Sequence, residues 1–183
     1  GFLYENLAQK YVFFISASTL TTEVHFEKSD KPLDEFKTFL KRKRGHEYEV
    51  YDGGDRFFIK SNDQATNFKL YEASLNNIHK EQWKEVLPHQ EDTLLENIIP
   101  FKDFLVVFEK NEGIDKIKIF DRRNNSSKYV KFNDSTYTVE PGNQSDFESN
   151  KFRYVFESMR QPEQTIDYHV ESDTPELIKE RKI

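Results

Sequence analysis

The side chains best suited to chemistry in this sequence are its carboxylates and its five histidines. No two histidines are four residues apart, the spacing that places two metal ligands on one face of a helix. His169 and Glu171 match the His-x-Glu pattern of zinc deaminases, but that site also needs cysteines and the sequence has none. We therefore expect no metal site and no cofactor. The histidines are His25, His46, His79, His89 and His169.

The glycines decide whether a nucleophile or phosphate loop can be present. An α/β-hydrolase exposes its serine on Gly-x-Ser-x-Gly, because small residues permit the tight turn. No two of the six glycines are four residues apart, and the glycine-rich loops that bind phosphates are absent as well. We therefore predict no catalytic residue in this chain.

Charge limits the partners. The sequence carries 33 acidic and 27 basic side chains, a net charge of −6, which argues against nucleic acid because phosphate binding relies on Lys and Arg. One run, Lys41–Arg44, is basic. We interpret it as a solvated strand end before Gly45, with a localisation signal or an anion-binding patch as the alternatives.

The elements that must position these side chains recur with a period of about 44 to 49 residues. Each unit opens with an aromatic-rich strand signal, followed by a partner strand, a third strand before a turn, and a strand leading into the next unit. The first strands are at 11–15, 56–59, 104–108 and 152–156, and the partner strands are at 23–26, 68–71, 117–120 and 166–170. The third strands are at 36–40, 83–87, 129–132 and 177–179, and the strands that lead onward are at 46–51, 94–99 and 137–140.

Short strands at this period predict an all-β fold, a partial β-propeller of about three and a half four-stranded antiparallel blades. The approximate units are a partial blade at 1–45, blades at 46–92 and 93–135, and a last blade at 136–183. Closed propellers have four to eight blades. An open piece leaves strand edges through which the chain could self-associate, and we expect it to be part of a longer protein.

Composition fits a half-buried sheet protein. There are 17 Phe and 9 Tyr but one Trp and one Met, and aromatic side chains pack well on pleated surfaces. The longest apolar run is about five residues, far below the roughly 20 of a membrane helix. The chain has no secretory signal and no cysteine, so we expect a cytoplasmic protein that contacts neither membrane nor nucleic acid.

Several segments, in this order and spacing, resemble oligopeptidase B-like (protease II) members of the prolyl oligopeptidase family of serine peptidases. The resemblance covers essentially the whole chain, although the loop at 144–150 is not matched. The segments are Lys43–Tyr48, Phe58–Asn62, Asn67–Tyr71, Gln82–Glu85, Leu94–Glu96, Asp103–Glu109 and Phe152–Met159.

This resemblance implies that the chain is the C-terminal half of the N-terminal propeller of such an enzyme. The α/β-hydrolase domain that holds the Ser-Asp-His triad is absent, and it would be the partner in the parent chain. The whole protein would hydrolyse short peptides after Lys or Arg, with the propeller gating access. This chain alone is expected to be inactive.

Three glutamates are the candidates for an electrostatic role in gating. If the third strand of each unit is outermost, the strands at 46–51, 94–99 and 137–140 line the propeller tunnel. Alternation along the first places Glu47 and Glu49 on one face and Tyr48 and Val50 on the other. Together with Glu96, they would give the tunnel a negative field that attracts cationic peptides, although ordinary solvated charges explain them too.

Two other functions stay open at this point. The chain could be a stand-alone propeller-like module that binds a protein partner through its blade loops. A propeller glycosidase would instead need two carboxylates at a defined separation in one pocket, and the sequence singles out no such pair.

Overall fold

A computed structural model describes residues 1–32, 35–144 and 146–182 of the chain. These residues form sixteen strands in four antiparallel sheets of four strands each. The predicted all-β, partial β-propeller fold is thereby confirmed. Residue 145 of the loop at 144–150 and residue 183 of the predicted last unit lie outside the described residues.

The chain divides into two units, which we call unit 1 (Gly1–Glu91) and unit 2 (Asp92–Ile183). Within every sheet the strands are neighbours in chain order, as expected for hairpin-connected blades. Among the described residues, the structure has no helix with the length and apolarity needed to cross a bilayer.

Unit 1 contains two sheets, and a 3₁₀ turn at Lys80–Gln82 precedes the last strand of the second sheet. The strands of its first sheet are β1 (Phe2–Glu5), β2 (Tyr11–Ala17), β3 (Thr22–Lys28) and β4 (Lys37–Leu40). The strands of its second sheet are β5 (Tyr48–Asp52), β6 (Arg56–Ser61), β7 (Lys69–Ser74) and β8 (Lys84–Leu87).

Unit 2 contains the other two sheets. The strands of its first sheet are β9 (Thr93–Pro100), β10 (Phe104–Asn111), β11 (Ile114–Asp121) and β12 (Ser127–Tyr129). The strands of its second sheet are β13 (Tyr137–Pro141), β14 (Lys151–Ser158), β15 (Gln164–His169) and β16 (Thr174–Glu180).

Strand β1 is the main difference from the expected three and a half blades. It pairs with β2 from Phe2 opposite Ile15 to Glu5 opposite Val12 and completes the first sheet. It has only four residues, and Phe2 is 60% exposed. A short, exposed strand has no alternating burial pattern, so only its pairing with β2 identifies it.

The core of unit 1 is aromatic, as its composition indicates. Phe13 and Phe57 are fully buried, and Phe39 meets the Phe57 ring edge-on with centroids 5.3 Å apart. Edge-to-face pairs of this kind add about 1 kcal/mol beyond the burial of their surface. Trp83, which precedes β8 rather than belonging to it, packs against Phe39 and Tyr71.

The core of unit 2 centres on β10. Residues Phe104 to Glu109 are buried without alternation, so side chains on both faces of β10 are covered, while its two edges pair with β9 and β11. Ile117 and Ile119 of β11 are buried beside it, and Phe152 of β14 packs on Tyr168 of β15 with ring centroids 5.5 Å apart. The strong apolar runs in the sequence are therefore the central strands.

Candidate functional site

Glu49 is in β5, at one edge of the second sheet of unit 1. It is half-buried, while Tyr48 and Val50 on either side of it are buried, which is the alternation expected from the sequence. Its carboxylate accepts a hydrogen bond from the Tyr51 hydroxyl at 2.8 Å and lies 3.4 Å from the Lys60 ammonium. Glu49 is thus already engaged by one neutral donor and one cation.

Two phenols interact with Glu49, those of the buried Tyr51 and the half-buried Tyr4. Burial is the main cause that raises the pKa of Tyr51 well above its usual value, and the Glu49 charge adds to it. Burial likewise raises the pKa of Tyr4, again with a contribution from Glu49, and the Tyr4 hydroxyl donates to the Val50 carbonyl at 2.7 Å. Both phenols therefore stay protonated near neutral pH.

Glu47 immediately precedes β5 and is held by Asn62. The Glu47 backbone N–H donates to Asn62 Oδ1 at 2.8 Å, and Asn62 Nδ2 donates to Glu47 Oε2 at 3.3 Å. Both predicted glutamates of unit 1 are thus positioned by side chains from neighbouring strands or the loop after β6.

Glu96 in unit 2 has a different setting because it is the extra residue of a β-bulge. Phe108 of β10 faces Asn97, whereas the next residue, Glu109, faces Leu95, so the register of the ladder skips Glu96. Bulges bend an edge strand and redirect a side chain, and they are frequent near functional sites. Glu96 is exposed.

The bulge opens onto a cavity of about 320 Å³ in unit 2. Asp115 fixes one wall, because its Oδ2 accepts the Val139 backbone N–H at 3.1 Å. Lys110 Nζ lies 3.7 Å from Asp115 Oδ1. The polar side chains of the wall include those of Glu96, Asn97, Lys110, Asp115, Thr138 and Glu140.

This cavity suits a cationic group better than an anionic one, because four carboxylates line it against the two ammonium groups of Lys110 and Lys116. Glu109 in its wall is already neutralised, since its carboxylate accepts the Tyr129 hydroxyl at 2.8 Å and lies 3.1 Å from Lys118 Nζ. Glu96 and Glu140 are both exposed. Sequence reasoning singled out Glu96 but missed Glu140. The signal that could have found Glu140 is its place in the equivalent strand of the next blade.

His46 and Ser61 in unit 1 form a contact that looks catalytic but is enclosed. His46 Nε2 is 2.7 Å from Ser61 Oγ, and the two residues are 4% and 0% exposed. Burial, followed by the charge of Lys80, lowers the pKa of His46. Because no substrate can reach Ser61, we assign this pair a structural role. In the described part of the chain, no three His, Asp or Glu side chains gather as a metal site.

Comparisons with known proteins agree with this architecture. The family model of the prolyl oligopeptidase N-terminal β-propeller domain matches residues 3–181. Dipeptidyl aminopeptidase BI of Pseudoxanthomonas mexicana is 26% identical over 175 residues, which cover 95% of this chain and 24% of that protein. Protease 2 of Moraxella lacunata is 23% identical over 178 residues, covering 97% and 25% respectively.

Solved structures show the same fold. Oligopeptidase B from Leishmania major superposes with a TM-score of 0.88 at 22% identity, over 99% of this chain and 27% of that one. Oligopeptidase B from Trypanosoma brucei gives a TM-score of 0.89 at 19% identity, over 98% and 27%. The chain spans about a quarter of the length of dipeptidyl aminopeptidase BI and of protease 2.

Proposed function

Because this chain belongs to the prolyl oligopeptidase family through its N-terminal β-propeller domain, we propose that it is the noncatalytic, substrate-gating part of an oligopeptidase B-like serine peptidase. The observation that carries the proposal is the family match over residues 3–181. The enclosed His46–Ser61 pair supports it, because this serine, although it contacts a histidine, has no access to substrate. The partner is then an α/β-hydrolase domain of the same polypeptide.

The proposed substrates of the whole protein are short peptides cleaved after Lys or Arg. The exposed carboxylates of Glu96 and Glu140 beside the unit 2 cavity support this choice. Glu47 and Glu49 at the β5 edge add less, because Glu49 is already paired with Lys60 and Glu47 accepts a hydrogen bond from Asn62. Clusters of one charge raise the local concentration of oppositely charged ligands and their association rate. The carboxylates would thus raise the local concentration and the association rate of cationic peptides before the chemical step.

The proposal is tested by expressing the complete reading frame that contains this chain and, separately, residues 1–183. We expect the complete protein to cleave short fluorogenic peptides after Arg. It should not cleave a folded protein that contains Arg, because the propeller would exclude it. Residues 1–183 alone should not cleave either substrate. A reading frame without a hydrolase domain would overturn the peptidase role and favour a stand-alone interaction module.

The role of the carboxylates has its own test in the complete protein. Neutralising Glu96 and Glu140 to Gln should raise KM for an Arg peptide about three- to tenfold with kcat unchanged, because both side chains are exposed and the main change is in the field that attracts the peptide. The effect should shrink at high salt. The matched control neutralises Glu112 and Glu148, two exposed glutamates of unit 2. If the control variant raised KM equally, the role assigned to these glutamates would be rejected, whereas the proposed peptidase function would not.

A further inference from the structure

The basic run Lys41–Arg44 forms an exposed surface on unit 1 that the proposed gating role does not use. It lies in the connection between β4 and β5, and all four residues are exposed. The whole chain carries a net charge of −6. Four consecutive cations in an acidic protein concentrate positive potential at one end of the strands of unit 1.

Arg42 anchors this connection to the turn between β2 and β3. Its Nη1 donates to the Thr21 carbonyl at 3.3 Å and to Thr21 Oγ1 at 2.5 Å. Its Nη2 donates to the Ser16 carbonyl and hydroxyl, both at 3.1 Å. The backbone N–H of Arg42 donates to Glu23 Oε2 at 2.7 Å. The guanidinium is therefore occupied in holding the connection in place.

The other three cations remain available. Within the described chain, Lys41, Lys43 and Arg44 form no ion pair. The His46 backbone N–H donates to the Lys43 carbonyl at 2.9 Å and closes a turn. Gly45 has a φ of +82° there, and a Cβ at this position would meet no atom within 4 Å, so the turn points into open solvent.

The connection is also fixed at its far end, because Asn62 Nδ2 donates to the Gly45 carbonyl at 3.2 Å. A backbone that is held on both sides loses little conformational freedom when a ligand binds. Leu20, in the turn that Arg42 contacts, is 57% exposed. The surface therefore combines three available cations, Lys41, Lys43 and Arg44, with one apolar side chain. We call these four residues the basic docking surface.

We propose that the basic docking surface binds an acidic segment of a polypeptide that also carries an apolar residue. Charge complementarity selects carboxylates, and Leu20 gives the partner's apolar side chain a contact. A nucleic acid fits less well, because its phosphate backbone offers no apolar contact for the exposed Leu20.

The test measures the binding of a fluorescein-labelled hexapeptide of five glutamates and one leucine to residues 1–183 by anisotropy. We expect saturable binding that weakens as salt is raised. The triple variant K41Q/K43Q/R44Q should weaken binding about tenfold, which corresponds to three surface ion pairs of roughly 0.5 kcal/mol each. Leu20→Ser should weaken it about threefold.

The matched control is K28Q/K31Q/K37Q. It removes three exposed lysines at the opposite end of the first sheet, from the strand ends and the turn there. The net charge of this control equals that of K41Q/K43Q/R44Q. We expect binding within about twofold of the original chain. Trp83 fluorescence verifies that each variant is folded. Absence of saturable binding, an equal loss in the control, or tighter binding of a single-stranded oligonucleotide of equal charge would overturn the proposal.

Discussion

In each unit, a hydrogen bond from a tyrosine joins the second sheet to the first, but the two units use different chemical groups for it. In each unit, a tyrosine opens the first strand of the second sheet and hydrogen-bonds into the first sheet. In unit 1 the tyrosine is Tyr48, and its backbone N–H donates to Thr22 Oγ1 of β3 at 2.6 Å. In unit 2 it is Tyr137, whose hydroxyl donates to the Asp115 carbonyl of β11 at 2.7 Å.

The partner residue differs in charge. Thr22 is neutral, and its hydroxyl also donates to the Tyr48 carbonyl at 3.0 Å. Asp115 is a carboxylate that accepts the Val139 backbone N–H. A neutral hydroxyl both donates and accepts, whereas a carboxylate only accepts. Blade geometry therefore fixes the position of the hydrogen-bonding residue but not its charge.

The turns that precede the central strands β6 and β14 also differ in charge, but here the charged residue is in unit 1 and the neutral one is in unit 2. Before β6 in unit 1, the fully buried Asp52 carboxylate accepts backbone N–H groups from Lys10, Tyr11 and Gly54 at 2.8 to 3.0 Å. Before β14 in unit 2, neutral Gln144 accepts the Arg153 N–H and donates to the Arg153 carbonyl. Unit 1 thus relies on a buried charge where unit 2 relies on an amide.

The largest expected effect follows from that difference. Asp52→Ala leaves three backbone donors without their acceptor in a buried site and should lower the free energy of unfolding by about 3 kcal/mol. Gln144→Ala should cost about 1 kcal/mol, because its site is only partly buried. Urea unfolding followed by Trp83 fluorescence reports on unit 1, and amide exchange at Arg153 reports on unit 2. Equal losses would remove the distinction between the turns.

The next effect compares the two tyrosines. The buried Tyr48 hydroxyl accepts the Val24 N–H at 2.8 Å and donates to the Leu40 carbonyl at 2.6 Å. Tyr48→Phe should therefore cost about 2 kcal/mol, and Tyr137→Phe about 1 kcal/mol, since Tyr137 loses one hydrogen bond and is half-buried. Thermal unfolding measures both variants. A larger loss for Tyr137→Phe would contradict the ranking.

A smaller effect is a pH dependence confined to unit 1. Burial, and then the charge of Lys80, lowers the pKa of His46 below its usual 6.5, while Asp63 opposes this and Lys43 adds to it. The unfolded chain then binds more protons than the folded chain just below pH 6.5, so unit 1 should lose stability as pH falls through that value. We expect this loss to be smaller than the cost of Tyr48→Phe, and Trp83 fluorescence in urea measures it.

His46→Gln is the control for this dependence, because an amide can keep a hydrogen bond to Ser61 but does not titrate. The other histidines of unit 1 are present in both proteins, so the difference between the two pH profiles isolates His46. An unchanged profile in His46→Gln would refute the assignment.

The smallest effect lies in unit 2 and occurs at lower pH. The Arg153 guanidinium, 2.8 Å from Asp167, holds the pKa of that carboxyl below its usual 3.8, and Lys151 adds to the effect. Its contribution should be complete above pH 3.8 and disappear as pH falls further. Asp167→Asn should cost about 0.5 to 1 kcal/mol at neutral pH, since Arg153 is partly exposed. Amide exchange in β14 and β15 measures it, and a loss as large as that of Asp52→Ala would contradict the ranking.

Much of the fold could be predicted from residues alone because central strands carry a local signal. Runs such as Phe104–Phe108 are apolar throughout, and the turn at Gly53–Gly54 falls where β5 ends and β6 begins, as expected. The alternation around Glu49 was also predictable. Edge features were not, because β1 and the bulge at Glu96 are defined by which residue of the neighbouring strand stands opposite.

Local strand propensity and the order of segments were enough to establish the all-β class, the blade period and the family. Tertiary contacts were needed to show that Glu96 leaves the ladder beside Glu140, that His46 and Ser61 are sealed from solvent, and that Arg42 anchors its loop. The physical reason is that strand register, burial and hydrogen-bond partners are properties of pairs of distant segments, which no local pattern of residues encodes.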